Sequence, residues 1–424
     1  MSTSRPSGIN LEFCVHGVCG QSNSSNTDWN ATGISTTTTG LFASTDSSDD
    51  GTLGDNSSLS DPAGGCLQLD YIPYSNPGNE MSIQSMLLVF KVLGGGLVPL
   101  ICFLGVPVNV LNCVVFFKQG LRERINMLLF CLAIVDCIVD VFLFVSTIEY
   151  FYTQVQGNFQ INGPLVTFIT NYGSIVYGAV YVSGFITTLI SFERCICITH
   201  PLVAKHALKT RTMGIVVGVV SVALTAFIYL VSAEKYRIRC GYYARLNVKL
   251  YVHYPSDFYI QNKPLMDILN GIVYGVLLPS FFVLSTTITT AITAVKLRGV
   301  ANWRQNQSSA PVTMESKEVA LTKMLIAVSI LFIVCTLPNV ILRIAPLFVD
   351  EFRLGGRKQN LLLSGICVIY LANAINSALN FVFYYKMGSR FRMCVKSLFV
   401  KQKKPSAAKG STMTATSEIS TGQL

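Results

Sequence analysis

The stretch Ile125–Tyr150 reads INMLLFCLAIVDCIVDVFLFVSTIEY. It is apolar and long enough to cross a bilayer, which takes about 20 helical residues at 1.5 Å each. Asp136 sits near its middle with little other charge around it. A carboxylate at that depth costs about 3 kcal/mol or more unless polar groups meet it, so it marks a functional site by default. Other apolar runs supply partners: Asn109, Ser183, and the cluster Asn376, Ser377 and Asn380. One acid with polar residues from separate helices reads as the polar core of a membrane bundle, a switch or a conduit and not a passive anchor.

Six more runs of this kind flank it: Val92–Phe117, Leu165–Ile198, Met213–Val231, Leu265–Lys296, Ala320–Leu347 and Leu361–Tyr385. Only 13% of the 424 residues are charged, against about 25% in an ordinary soluble domain. Glycine and proline recur inside the runs, at Gly94-Gly95-Gly96, Pro107, Pro279 and Pro338. They would break helices in water, but inside a bilayer neighbouring helices re-satisfy the freed backbone groups. The expectation is an all-α seven-transmembrane bundle over residues 91–400, between a tail of residues 1–90 and a second tail of residues 401–424.

Lysine and arginine in the short loops set the orientation. Lys118, Arg122 and Arg124 follow the first run, Lys205, Lys209 and Arg211 the third, and Arg298 and Arg304 the fifth; the segment after the seventh is dense in both. These four segments share one side, read as cytoplasmic. The amino terminus is then extracellular and the chain a multi-pass protein of the plasma membrane. The loop Ser232–Pro264 argues the other way, with six basic residues on the outer side, and is read as pairing with the acidic amino-terminal tail. The net charge of +10 thus reflects topology and contact with anionic lipid, not nucleic-acid binding.

Residues 1–30 lack the continuous apolar core of a secretory signal, so the first run acts as the insertion signal. The tail is rich in Ser, Thr, Asn, Asp and Gly and is expected to be disordered. It carries N-x-[ST] glycosylation sequons at Asn23, Asn30 and Asn56. Cys14, Cys19, Cys66 and Cys240 fall in outer segments, an even set that allows three pairings. Cys394, on a basic amphipathic stretch beyond the seventh run, is a candidate palmitoylation site.

The third run ends in Phe192-Glu193-Arg194-Cys195. An arginine at the inner boundary is partly dehydrated and wants a carboxylate; Glu193 is one and Glu318, at the start of the sixth run, a second. The plainer reading of Arg194 alone is an interfacial arginine snorkelling to headgroups. The wider pattern is more specific. Asn109 lies in Gly105-Val106-Pro107-Val108-Asn109, Asp136 in Leu132-Ala133-Ile134-Val135-Asp136, and Pro279 in the fifth run. Pro201-Leu202 follow the third run. The sixth carries Phe332 and Cys335-Thr336-Leu337-Pro338, and the seventh Asn380-Phe381-Val382-Phe383-Tyr384 ahead of the Phe391 stretch. On these motifs, from roughly Val92 to Val400, the chain resembles the rhodopsin-like G-protein-coupled receptors. Segments such as Lys118–Asn126 look like molluscan chemosensory-type receptors, and Asn376–Phe381 resembles invertebrate receptors for small amidated peptides.

The resemblance implies an extracellular ligand, either a peptide or a small chemosensory molecule, and activation of a heterotrimeric G protein, with receptor kinase and arrestin acting on the tail and lipids around the bundle. It implies no enzyme and no cofactor beyond an allosteric sodium ion at Asp136, Ser183, Asn376, Ser377 and Asn380. Asn109, Glu193, Arg194, Pro279, Glu318, Phe332, Pro338 and Tyr384 would be its switches. Tyr177, Tyr181, Asn339, Arg343 and Tyr370 would face the outer cavity, where Arg343 either binds a carboxylate or peptide terminus or pairs structurally with Glu149 or Asp350.

The sequence departs from the pattern in several places. Thr336 replaces the tryptophan expected before Pro338, Cys195 a tyrosine, and Thr287 stands near another expected tyrosine. No cysteine ends the third run on its outer side, so the family's usual bridge to Cys240 cannot form. The expected pairs are then Cys14 with Cys19 and Cys66 with Cys240. Three other classes compete with a receptor. A transporter would show repeated halves. An intramembrane hydrolase needs a catalytic or metal cluster, whereas no histidine lies in a span. A non-signalling receptor-like scaffold is the remaining alternative, motivated by the missing tryptophan and tyrosine.

Overall fold

The computed structural model describes the backbone of residues 11–15, 18–22, 67–68, 78–156, 164–207, 209–233, 235–243, 248–305, 315–352 and 356–399. Side chains are described within 78–147, 174–204, 209–232, 235, 256–299, 319–352 and 356–399. Seven helices among these are long and apolar enough to span a bilayer: Ile83–Gln119, Arg124–Thr147, Ser174–Thr199, Thr210–Ser232, Lys263–Gly299, Val319–Phe348 and Gln359–Met387. The seven-span bundle read from the sequence is what folds, and a short amphipathic helix, Ser389–Phe399, follows the seventh span.

Two spans widen locally, and each does so just before a proline. The first span passes through a π-helical stretch, Phe90–Leu97, ahead of Pro99, and the fifth through Ile268–Leu277 ahead of Pro279. Proline has no N–H, and its ring collides with the carbonyl four residues earlier. An i→i+5 register moves that carbonyl away and keeps the helix continuous. Gly94-Gly95-Gly96 lies inside the first of these stretches, so the triple glycine does not end the span.

The outward faces of the bundle are apolar. Leu100, Phe103, Phe117, Val219, Val222, Phe281, Leu284, Val295 and Ile341 are all well exposed, the surface expected where lipid replaces water as the solvent. Since lipid is as apolar as leucine, the hydrophobic effect does not hold the helices together. Close backbone approach and buried hydrogen bonds do. Gly178 of the third span shows the first: a Cβ there would come within 2.9 Å of the Thr225 Cα on the fourth. Paired hydroxyls show the second, with Ser191 and Ser329 at 2.6 Å and Thr188 and Thr286 at 3.0 Å joining the third span to the sixth and fifth.

One end of the bundle carries strands that the sequence reading treated as loop and tail. β1 (Leu11–Val15) and β2 (Val18–Ser22) form an antiparallel hairpin with Cys14 opposite Cys19. β4 (Tyr236–Tyr243) and β5 (Val248–Pro255), in the long loop after the fourth span, pair antiparallel. β3 (Leu67–Gln68) adds to β4 in parallel, Leu67 opposite Gly241. This is the hairpin end of the molecule; the opposite one, where Glu193 and Arg194 lie, is its basic end.

Candidate functional site

Asp136 is 2% exposed and takes one hydrogen bond on each carboxylate oxygen. The Ser183 hydroxyl donates to Oδ1 at 2.8 Å and the Asn380 amide to Oδ2 at 3.0 Å. The second, third and seventh spans therefore meet on this one side chain. Below the hairpin end the group faces a cavity of about 40 Å³, whose lining includes Ser183, Phe282, Phe332, Thr336, Asn339, Asn376 and Ser377. That is room for more than one water-sized occupant.

Asp136 is not the isolated charge that the sequence reading took it for. Asp140, one helical turn along on the same face, is 0% exposed. The Ser377 hydroxyl donates to its Oδ2 at 2.6 Å and the Asn109 amide at 3.1 Å, and Asn109 also donates to Ser377 at 2.8 Å. Asn112 in turn donates to the Asn109 carbonyl oxygen at 3.1 Å. Two carboxylates thus share one polar network, held by neutral donors from the first, third and seventh spans. Gly105 admits the second: a Cβ at that position would overlap the Asp140 carboxylate. The signal available in the sequence was the spacing of four residues, which puts both acids on one helix face.

Of the five residues expected around a cation, four are tied into this network, and Asn376 lines the cavity without a hydrogen bond to either acid. Oxygen donors of this kind suit a hard monovalent cation, and the buried Asn380 Oδ1 and Asp140 Oδ1 have no hydrogen-bond partner among the described residues. Among those residues there is no cluster of three His, Cys, Asp or Glu that would suit a transition metal.

At the basic end Glu193 is 0% exposed and holds two arginines. Arg194 Nη2 donates to Oε1 at 2.9 Å while its Nε meets Oε2. Arg124 Nε lies 3.4 Å from Oε1. Arg124 also donates to the Ala204 carbonyl at 2.7 Å, tying the start of the second span to the helix Pro201–Ala207. Sequence reasoning used Arg124 only as a topological charge and missed this role. Tyr384 is buried edge-on against Phe116 at 5.2 Å and beside Phe391 at 5.6 Å, so the seventh span is clamped to the first and to the amphipathic helix. Phe332 is buried beneath the cavity, which Pro279 also lines. Pro338 lies within the sixth helix.

Residues 97–402 match the family described as serpentine-type 7TM GPCR chemoreceptor Srw. The chain belongs to that receptor family. The receptor is also 27% identical over 306 residues to the human cysteinyl leukotriene receptor 2, an alignment covering 71% of this chain and 80% of the relative.

In the receptor, Thr336 lines the cavity where a tryptophan was expected, and Thr287 is exposed with its hydroxyl turned back to the Val283 carbonyl. Neither position can act as an aromatic switch. Toward the hairpin end the hydroxyls of Tyr177 and Tyr370 meet at 2.9 Å, and Tyr181 donates to the Tyr274 carbonyl at 2.7 Å. Asn339 lines the cavity. Arg343 forms no ion pair with Asp350 among the described residues. The side chains of Glu149, Glu318, Cys14, Cys19, Cys66 and Cys240, and the sequons at Asn23, Asn30 and Asn56, lie outside the described residues.

Proposed function

We propose that this G-protein-coupled receptor sits in the plasma membrane with its amino terminus outside. On this reading a peptide or small chemosensory molecule enters between the tyrosines at the hairpin end, and the basic end opens to a heterotrimeric G protein. The observation that carries this reading is that the third span bears a buried polar site at each of two levels. Toward the hairpin end Ser183 joins it to Asp136 beside the cavity that Tyr181 and Asn339 line, and at the basic end Glu193 of the same span holds Arg194 and Arg124. An agonist that contracts the cavity would disturb the shared Ser377 and Asn380 bonds. It would thereby favour a state in which Arg194 leaves Glu193 and the sixth span moves about Pro338. Such a ligand acts by binding one of two pre-existing states better than the other. Glu318, on the neighbouring sixth helix, would add to the restraint on Arg194.

Where sodium binds, Asp136, Ser183, Asn376, Ser377 and Asn380 would hold it, and its charge would offset two carboxylates that otherwise repel at bilayer depth. Receptor kinase and arrestin would act on residues 401–424, anionic lipid on the basic end, and palmitate on Cys394, which is half-buried on the amphipathic helix. The reading is tested by nucleotide exchange on a supplied G protein, using the full chain in lipid nanodiscs. No exchange above that of empty nanodiscs, with or without a screened agonist, would reject it.

The register of the strands supports the expected bridges. Cys14 lies opposite Cys19 in the β1–β2 hairpin, and the residues that follow Cys66 and Cys240, Leu67 and Gly241, are paired across β3 and β4. A Cys66–Cys240 bridge would lay the amino-terminal segment over the ligand entrance. Peptide mapping without reductant should recover a cross-linked Cys66–Cys240 peptide. A Cys240 thiol that alkylates before reduction would remove the lid.

A further inference from the structure

Residues expected to hold a cation and residues expected to face the outer ligand line one and the same cavity. Asp136, Ser183, Asn376 and Ser377 share its wall with Tyr181 and Asn339. On each of three spans the lining climbs one helical turn toward the hairpin end: from Thr336 to Asn339, from Asn376 to Asn373, and from Ser183 to Val180. The cavity is therefore about 5 Å tall, one turn of helix. Thr336 keeps the two levels joined, because the indole expected at that position would fill the space between them.

The charge of this cavity is one-sided. Asp136 lines it, Asp140 stands one turn along in the same network, and no lysine, arginine or histidine is among the lining residues. The amides of Asn339, Asn373 and Asn376 border it, and their side chains form no hydrogen bond among the described residues. The rest of the wall is aromatic and apolar. A Cβ on Gly184, next to Ser183, would meet the Phe282 ring at 3.2 Å and the Phe332 ring at 3.4 Å, so both rings close on the third span at the level of Ser183. A sodium ion would use the oxygens and leave these rings facing water.

We infer that the cavity takes a small primary ammonium group, its N–H donors on Asp136, Ser183 and the amides of the seventh span, and its short alkyl chain among Phe282, Phe332 and Val180. This rests on the proposed ligand entry at the hairpin end and names the chemical class that enters there. An alkylammonium matches both parts of the wall. Its charge and three donors meet the carboxylate and the amide oxygens, and a cation packed against aromatic rings is attracted by their negative faces. A nitrogen with one or two carbons behind it also suits a height of about one helical turn. The rival account is a cavity that holds only sodium and water.

Ethylammonium is the probe that decides the matter. Ethanol serves as a neutral molecule of the same size, and tetraethylammonium as a cation too large for the cavity and without N–H donors. The full chain in lipid nanodiscs is titrated in potassium buffer at constant ionic strength, and thermal unfolding and nucleotide exchange on a supplied G protein are read together. Ethylammonium should raise the unfolding midpoint along a saturable curve, because a ligand bound only to the folded state stabilises it by mass action; ethanol and tetraethylammonium should not. Asp136→Asn should weaken ethylammonium by about ten- to a hundredfold, the range for a charge-assisted pair. Thr336→Trp should remove its effect, since the indole takes the space of the alkyl chain. If Thr336→Trp lowers the unliganded midpoint, Thr336→Leu, which adds bulk without a ring, carries the same comparison with a smaller loss. An ethylammonium response no larger than that of the two control probes, or one unchanged in Asp136→Asn and in the Thr336 variants, overturns the inference. Unfolding reads the cavity without any G protein, so absent exchange beside intact ethylammonium binding would count against the receptor reading alone.

Discussion

Asp136→Asn should leave the receptor folded and erase its response to sodium. Both carboxylate oxygens of Asp136 are hydrogen-bonded, to Ser183 and to Asn380, and the side chain borders the cavity. Asparagine keeps the volume and one acceptor but removes the charge that a cation would neutralise. In the wild type, sodium substituted for potassium at constant ionic strength should lower basal nucleotide exchange. Allosteric couplings amount to about 1–3 kcal/mol, or roughly 5- to 150-fold, so a change of at least about fivefold is expected. It should also raise the unfolding midpoint, because an ion bound only to the folded state stabilises it by mass action. In Asp136→Asn both effects should vanish. Asp140→Asn should reduce them without abolishing them, since Asp140 meets the network through Ser377 and Asn109 and does not line the cavity. Parallel sodium titrations for the wild type and Asp136→Asn would remove the ion from the mechanism.

The spans were legible because a bilayer leaves the chain one solution: each crossing must satisfy its own backbone and present apolar side chains, and both demands are written in runs of about 20 residues. Asp136 was legible for the same reason, as a rare charge in such a run. Asp140 is equally rare and was passed over. What makes it part of the site is Gly105 on a different helix, and a glycine in the first span does not announce which side chain it admits. Arg124 was hidden similarly. Its charge has an ordinary topological explanation, and only the fold brings it to Glu193, far along the chain. The β4–β5 hairpin left a fainter trace, with Arg237 and Arg239 alternating with Ile238 and Cys240 in a segment read as a loop. Its third strand comes from the amino-terminal segment and could not be paired without the register.

Glu193→Gln should raise basal G-protein exchange more than any single change to the arginines that Glu193 holds. Glu193 has no exposed surface and serves Arg194 through two hydrogen bonds and Arg124 through an ion pair. Glutamine can still accept one hydrogen bond, but it offers no charge, so both guanidiniums lose the charge of Glu193 together. Breaking a buried pair costs about 3–5 kcal/mol. The expected loss is below that range, because the Arg124 side chain is 24% exposed and water screens it. Even about 1 kcal/mol taken from the resting state multiplies the active fraction roughly fivefold. Arg124→Gln should give a smaller rise. It leaves the closer Arg194 pair intact and also removes the bond to the Ala204 carbonyl, which steadies the helix Pro201–Ala207 rather than the third span. Combining Glu193→Gln with Arg124→Gln should then add little, since both act on the same buried carboxylate. Exchange is compared at matched surface expression. Unchanged basal exchange in Glu193→Gln, or a larger rise in Arg124→Gln, would show that the carboxylate holds this end of the bundle together without restraining its activation.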